Sequence, residues 1–445
     1  MKPMVTMHIG FDDTDSPRMG CTTYIAALLV VKLHQMGAFF VDYPNLIRLN
    51  PNVPWKTRGN GALCLRIRCN EEHTGEIMEA TIDTIEKNSD SSCTNTNPGV
   101  VFLLNDIQND LRVFAKRAIQ GIVEMKEALK IVKTSGAEAV GIKNGRGIIG
   151  GLAAIGETLE RDHTYEVITY RTLKNRGTPR RIHIPSVTEM NEKTSPLTFN
   201  NIDSETGRIL IAPRGPDPIL YGIRGESPEA VKQAHKIIRP QEPIERWVIF
   251  RTNHGTDAHL HQANSTSEIK PFNPVIVQGD LCKEPEVILG GHVIFRIKDE
   301  KGEVDCAAYE PTGALREVAK KLIVGDSIEA YGGVRPASSK HPVTVNLEKI
   351  RILKLAPKLS FSNPKCPHCD RRMKSMGKEK GFRCDKCGFR SSELEKVVGE
   401  HERTVRKGLY LTSQRSQRHL TKPLLRYGTE KAKTPKKMIV DWHFP

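Results

Sequence analysis

Four cysteines near the C-terminus place the firmest constraint on how this chain can fold. Cys366, Cys369, Cys384 and Cys387 form two C-x-x-C pairs with fourteen residues between them. Two knuckles at this spacing bring four soft thiolates to about 2.3 Å from a tetrahedral zinc ion, and four thiolates leave no coordination position open for a substrate. The pattern predicts a structural zinc ribbon over about 358–395. Two disulfides would require an oxidising compartment, and a redox pair would not be duplicated at this spacing. Cys21, Cys64, Cys69, Cys93, Cys282 and Cys306 share no pattern and read as buried or incidental thiols.

The ribbon leaves most of the 445 residues to other cores, about three domains at roughly 150 residues each. A hydrophobic share of 38% with 27% charged residues describes folded domains rather than a disordered chain. No apolar run approaches the 18 or so residues that a membrane helix needs; 25–31 is closed by Lys32, and the start lacks a signal-peptide core. A soluble, cytoplasmic chain is expected. Charge is unevenly placed. Residues 356–445 carry 22 basic and 9 acidic side chains, whereas 1–355 carry 45 and 43. A basic segment behind a near-neutral body is what a phosphate-backbone binder presents. By charge alone a solubilising tail is the competing reading.

Hydropathy divides the body into three. Over 1–135, strands near 6–11, 39–49, 61–69 and 100–104 alternate with helices near 22–36, 74–87 and 111–132, an α/β domain. Over 136–262 the order is strand 138–143, helix 148–159, strands 165–170 and 219–223, helix 228–238 and strand 245–251. This βαββαβ order predicts a ferredoxin-like domain with 178–216 as an excursion between its halves. Residues 262–271 read as a linker. Over 263–357, strands near 274–280, 292–298, 304–309, 326–334 and 343–354, with helix 314–322 between the third and fourth, predict a five-stranded OB-fold barrel whose open face binds oligonucleotides. Gly291, Gly332 and Gly333 suit its bends. A barrel used for protein contacts is the alternative. Residues 396–445 show no further core. With Tyr410 and Tyr427 among the eleven Lys or Arg of 403–437, they predict a basic RNA-binding tail, partly ordered alone and more ordered on RNA, its contacts assigned to Arg403, Arg406, Lys407, Lys436 and Lys437.

The sharpest catalytic signal is His8-Ile9-Gly10-Phe11-Asp12-Asp13-Thr14-Asp15-Ser16, followed by a helix starting at Cys21-Thr22. Carboxylates at a strand end beside a helix N-terminus meet the needs of magnesium and a nucleotide phosphate. An acidic surface turn with capping residues fits the same composition. Downstream, the loop 50–62 carries Lys56 and Arg58, able to clamp phosphates. Gly145-Arg146-Gly147 before a helix is a second, weaker phosphate-site pattern, being neither a Walker A loop nor a dinucleotide fingerprint.

Taken together, Gly-Phe-Asp-Asp-Thr-Asp-Ser, Cys-Thr-Thr-Tyr, Pro-Asn-Val-Pro-Trp-Lys-Thr-Arg-Gly-Asn-Gly-Ala, Gly-Arg-Gly-Ile-Ile-Gly-Gly-Leu-Ala-Ala-Ile-Gly and Gly-Pro-Asp-Pro-Ile-Leu-Tyr-Gly-Ile-Arg-Gly-Glu at 215–226 resemble the archaeal agmatidine synthetases along the whole chain. The resemblance implies a kinase-like domain, a ferredoxin-like domain that helps hold agmatine, and an OB-fold and zinc ribbon that grip the minor isoleucine tRNA. It implies an ATP-dependent ligase that phosphorylates the 2-carbonyl oxygen of the wobble cytidine of a CAU anticodon, after which agmatine displaces phosphate to form agmatidine for AUA decoding. It also implies self-phosphorylation, which by motif position falls on Thr22. Asp12, Asp13, Asp15 and Thr22 are then the catalytic candidates, and Asp203, Glu205, Asp217 and Glu226 the carboxylates for dicationic agmatine, with Glu157 and Glu166 behind them. The rival from another class is a non-catalytic single-strand binder built on the OB-fold and ribbon, which leaves 1–262 unexplained. Activation by adenylylation, as in lysidine synthetases, lacks its Ser-Gly-Gly-x-Asp-Ser loop here.

Overall fold

The structure, a computed structural model, describes residues 3–56, 59–104, 106–434 and 437–445. Its first strand, β1 (Met4–Asp12), buries Met7, Ile9 and Phe11 on one face. It is followed by α1 (Thr22–Gln35), β2 (Phe39–Phe40), β3 (Asn45–Arg48), β4 (Gly61–Asn70), α2 (Thr74–Asn88) and β5 (Gly99–Leu104). The single helix expected over 111–132 is two, α3 (Asn109–Gln120) and α4 (Met125–Ser135). The break falls at Gly121, whose carbonyl accepts a hydrogen bond from Asn50 Nδ2 at 2.9 Å.

The chain continues with β6 (Glu138–Gly141), α5 (Gly147–Gly156), β7 (Thr164–Arg171), α6 (Ile184–Thr194), β8 (Thr198–Phe199), β9 (Ile219–Gly225), α7 (Pro228–Ile237) and β10 (Ile244–Thr252). A βαββαβ unit is present, but its members differ from those read in the sequence. β6 pairs with β5, and α5 packs on β1 and β5, so both belong with the first unit. The supposed excursion supplies α6 and β8 instead. The unit is β7-α6-β8-β9-α7-β10, with strand order β10-β7-β9-β8, the ferredoxin-like arrangement. The parallel pairing of β10 with β3 joins both units into one sheet, ordered β6-β5-β1-β4-β3-β10-β7-β9-β8.

Helix α5 is apolar on every side, and Leu152, Ala153, Ala154 and Ile155 are fully buried, as expected for a helix enclosed by a core. It lies against the sheet without intervening side chains. A Cβ on Gly10 would fall 2.0 Å from the Gly151 carbonyl oxygen.

After β11 (His261–Gln262) come β12 (Pro274–Val287), β13 (Val293–Lys298), β14 (Glu303–Ala308), α8 (Ala314–Ala319), β15 (Ser327–Arg335) and β16 (Thr344–Lys354). The order β12-β13-β14-β16-β15, closed by β12 pairing with β15, is the OB-fold barrel. Phe295, Ile297, Ile328, Ala330 and Ile350 fill it. The stretch expected as a polar linker is a strap on this barrel: Ser265 and Thr266 are buried, and the Thr266 amide and hydroxyl donate to Asp299 at 2.6 and 2.9 Å.

Beyond the barrel, β17 (Lys358–Ser362) leads into the small β18 (Lys374–Ser375), β19 (Phe382–Arg383) and β20 (Arg390–Ser391), and β21 (Val397–His401) returns along β17. The tail, expected to be partly ordered alone and more ordered on RNA, packs against the rest of the fold over much of its described length. β22 (Gly408–Leu411) extends the barrel by pairing with β16, and residues 412–431 run back across the first two units. Finally β23 (His443–Phe444) pairs with β10, and Trp442 packs edge-on to Phe40 and Tyr43 at 5.4 and 6.0 Å between ring centres. Arg403, expected to contact RNA, is committed internally: it forms an ion pair with fully buried Asp326 at 2.7 Å and donates to the Ala356 carbonyl. Arg406, Lys407 and Lys437 are exposed; Lys436 lies outside the described residues.

Because the last strand closes over the first core, Trp442→Ala should destabilise the folded chain by about 3–5 kcal/mol, the range for removing a large buried aromatic side chain. Thermal or chemical unfolding of the full-length variant measures this; an unchanged midpoint would show that the returning tail adds nothing to the core.

Candidate active site

At the carboxyl end of β1 the chain turns sharply, with Asp13 at a φ of +59°, before α1 begins at Thr22. Asp12 sits directly on α5, where a Cβ on Gly150 would lie 2.0 Å from its Oδ2. Burial and then the neighbouring Asp13 charge push the Asp12 carboxyl up to about 8. Burial likewise raises Asp13, to about 6, although the Arg146 guanidinium draws it back. Arg146 reaches Asp13 at 2.8 Å and is itself held by the Asn95 side chain and carbonyl. Thr14 and Thr22 share a hydrogen bond of 3.1 Å. Carboxylates crowded in this way resist ionising together, and a bound cation relieves that cost.

These groups open into a cavity of about 250 Å³. Asp12, Asp13, Asp15, Thr22, Lys56, Arg146 and Asp217 all line it, so residues more than 200 positions apart in sequence share one site. Leu49, Val53, Ile122 and Val123 add an apolar wall. Gly145 and Gly147 shape the site without lining it. Gly145 turns the chain at a φ of +68°, and a Cβ on Gly147 would strike the Asp12 carbonyl oxygen at 2.3 Å. Arg58 lies outside the described residues.

The other carboxylates assigned to agmatine are elsewhere. Fully buried Asp203 and its neighbour Glu205 are bound by Arg415 at 3.0 and 2.6 Å. Glu226 is bound by Arg426 at 2.6 Å and Lys431 at 2.5 Å. Each is paired with a tail cation and none lines the cavity, leaving Asp217 as the one of the four that does. Glu157 accepts the Leu159 amide at 2.9 Å, and Glu166 lies 2.9 Å from His254. Two polar lining residues were not picked out in the sequence: Arg48, and His419, which the tail delivers from the far end of the chain.

In the ribbon, Cys366 and Cys387 Sγ are 3.4 Å apart, Cys369 and Cys384 3.4 Å, and Cys369 and Cys387 3.8 Å. All four sulfurs lie within 4.8 Å of one another. A tetrahedron with bonds of about 2.3 Å has edges of about 3.8 Å, so the set fits zinc. Met373 and Phe382 are buried beneath it.

Family models match the chain in four segments, the second of which begins just before α5. Residues 8–144 match the TiaS TCKD domain, 145–259 the TiaS FLD domain, 282–353 the OB-fold nucleic acid binding domain and 363–405 the TiaS C-terminal zinc ribbon domain. The isoleucine-tRNA 2-agmatinylcytidine synthetase TiaS of Methanocaldococcus jannaschii is 44% identical over 95% of this chain and 99% of its own length. The synthetase of the same name from Pyrococcus horikoshii is 41% identical over 94% and 97%. Among solved structures, the complex of TiaS with isoleucine tRNA and ATP superposes with a TM-score of 0.87 at 38% identity, and the complex of TiaS with isoleucine tRNA, AMPCPP and agmatine with 0.84 at 36%. Each covers 95% of this chain and 97% of its own. Among the described residues no helix is long and apolar enough to cross a membrane.

Replacing one thiolate should open the ribbon. Cys384→Ser is expected to reduce bound zinc from one equivalent to nearly none by elemental analysis; full retention would remove Cys384 from the ligand set.

Proposed function

The chain belongs to the TiaS family, and on that premise we propose that it joins agmatine to the 2-carbon of the wobble cytidine of the isoleucine tRNA with a CAU anticodon, consuming ATP, with the cavity at the end of β1 as the reaction centre. The observation that carries this reading is the convergence of Asp12, Asp13, Asp15 and Thr22 with Asp217 around one cavity. A non-catalytic single-strand binder would need only the barrel and ribbon, whereas the family resemblance covers the catalytic half as fully.

The chemistry requires activation first. A cytosine 2-carbonyl oxygen is a poor leaving group, so the oxygen attacks a phosphoryl group of ATP, the phosphoanhydride bond breaks with the rest of the nucleotide as leaving group, and the oxygen becomes a phosphate ester. The primary amine of agmatine then adds at C2, loses a proton, and expels phosphate with that oxygen. We assign Asp12, Asp13 and Asp15 to hold magnesium, whose charge when bound offsets that of the phosphates. The N-terminus of α1 presents its free amides to phosphate, with Thr22 as the residue of self-phosphorylation. Arg146 orients Asp13 and supplies positive charge beside the phosphates. Asp217, as the cavity-lining member of its group, is assigned to a cationic end of agmatine. Gly150 and the apolar wall keep the floor of the site poor in water, which protects the activated base from hydrolysis. The cytidine must leave the anticodon stack to reach this depth.

Single replacement of Asp12, Asp13 or Asp15 by Ala should abolish ATP consumption while tRNA affinity changes less than about threefold; full activity in all three would remove the assignment. Thr22→Val should eliminate self-phosphorylation, read by intact mass. Asp217→Asn should raise the KM for agmatine at least tenfold, about 1.4 kcal/mol, with a smaller change in kcat; an unchanged KM would place agmatine elsewhere.

A further inference from the structure

Beside the cavity, Arg48 on β3, Glu166 on β7, Arg224 on β9, His254 after β10 and His419 in the tail form one hydrogen-bonded set. Arg48 Nε donates to His254 Nε2 at 2.5 Å. Arginine has no acceptor, so the His254 proton sits on Nδ1, 2.9 Å from Glu166 Oε2. Arg224 Nη2 lies 3.0 Å from His419 Nδ1, while its Nε donates to Glu166 Oε1 at 3.3 Å. The same logic places the His419 proton on Nε2. The two imidazoles stack, with centres 5.0 Å apart and planes 17° from parallel, and burial lowers both histidines, so each stays neutral near pH 7.

This arrangement brings two donor nitrogens together against Gly59. A Cβ built on Gly59 would lie 2.6 Å from Arg48 Nη1 and 2.9 Å from His419 Nε2. Among the described residues neither atom reaches a hydrogen-bond acceptor. A second cavity of about 380 Å³ adjoins the reaction cavity here; Arg48, Lys56, Gly59 and His419 line both, and Arg418 lines the second. Around this space, Glu166 is engaged by Arg224 and His254, and Glu348 stands 3.5 Å from Arg418. The balance facing the opening is positive.

We propose that Arg48, His419 and Gly59 form a phosphate-binding subsite, with Lys56 and Arg418 at its rim, that grips the RNA phosphodiester next to the nucleotide entering the reaction cavity. Two donors on a fixed frame suit the two non-bridging oxygens of one phosphate. The ATP phosphates have the same chemistry, but the position favours RNA. The second cavity lies on the side of the tail and barrel, where Asn52 touches Gly333 of β15 and Arg418 donates to Asn52 at 2.6 Å. A strand held by the barrel passes this point before its base reaches Asp12. Glycine is required at 59 because a Cβ there would press on both donor atoms and displace them from the subsite. His419 couples RNA capture to the tail.

The inference rests on the proposed function, so the test separates the two. The full-length protein is given anticodon stem-loop RNA carrying a single neutral methylphosphonate on either side of the reactive cytidine, and the Kd for RNA and for ATP without RNA are measured. At one of the two linkages the neutral group should weaken RNA binding fivefold or more. His419→Ala should weaken binding of normal RNA to a similar degree and show no further loss with that methylphosphonate. Gly59→Ala, which displaces both donors and keeps every charge, should behave like His419→Ala, and His419→Gln, which keeps a donor near Nε2, should recover most of the affinity. The Kd for ATP should stay within twofold throughout. Losses that multiply at both linkages would overturn the proposal, and a tenfold weaker Kd for ATP would assign the donors to the triphosphate instead. Incorporation of labelled agmatine by the unaltered protein into full-length tRNA tests the underlying reaction separately, because the binding comparison needs no turnover.

Discussion

The contact on which the rest of the molecule depends is the bare approach of α5 to β1. Gly10 and Gly151 face each other with no room for a methyl group, and Gly150 lies against the Asp12 side chain in the same way. Glycine inside a helix costs roughly 1 kcal/mol relative to alanine, and α5 carries several. That cost is offset by packing an all-apolar helix onto the strand end, and by what the approach places there. It buries Asp12 and brings Arg146, immediately before α5, onto Asp13. It also fixes the end of β1 relative to α1. A bulkier α5 would be pushed outward, taking Arg146 with it and admitting water to the floor of the site.

The second organising element is the tail, whose charge has two uses. Arg403, Arg415, Lys422, Arg426 and Lys431 form ion pairs with Asp326, with Asp203 and Glu205, with Glu430, and with Asp162 and Glu226. Arg426 is almost fully buried, with both acids and the Gly255 carbonyl around it. Buried pairs of this kind add little net stability, because desolvation consumes most of the Coulombic gain. They do discriminate strongly against other placements of the chain, since removing one partner strands the other. The tail therefore acts as a strap that holds barrel and catalytic sheet in one arrangement, while Arg406, Lys407 and Lys437 remain on the surface. A net charge counted along the sequence overstates what that segment presents to a phosphate backbone.

Much of the architecture was legible before any coordinates. Cysteine spacing specified the ribbon because metal geometry permits few alternatives. The barrel was legible because five short strands and one helix in that order have few ways to close. The acidic strand end announced itself because three carboxylates in four residues are electrostatically expensive without a purpose. The ferredoxin-like order was right while its membership was wrong. Periodicity along a chain reports that 138–141 is a strand and 147–156 a helix, but not which sheet edge receives them. The glycines that decide this were visible, yet their meaning depends on the surface opposite.

What the sequence determined by itself, then, is local: metal ligands, element types, and the residues at the end of β1, each set by spacing and side-chain chemistry within a few dozen positions. Only the tertiary structure decided which distant groups meet. It spent Asp203, Glu205 and Glu226 on tail cations and kept Asp217 at the cavity. It also carried His419 across the molecule to stand beside Arg48. The physical reason is that a buried charge is acceptable only where an opposite charge or a donor is brought to it. Those pairings are made in space, between segments whose separation along the chain holds no record of them.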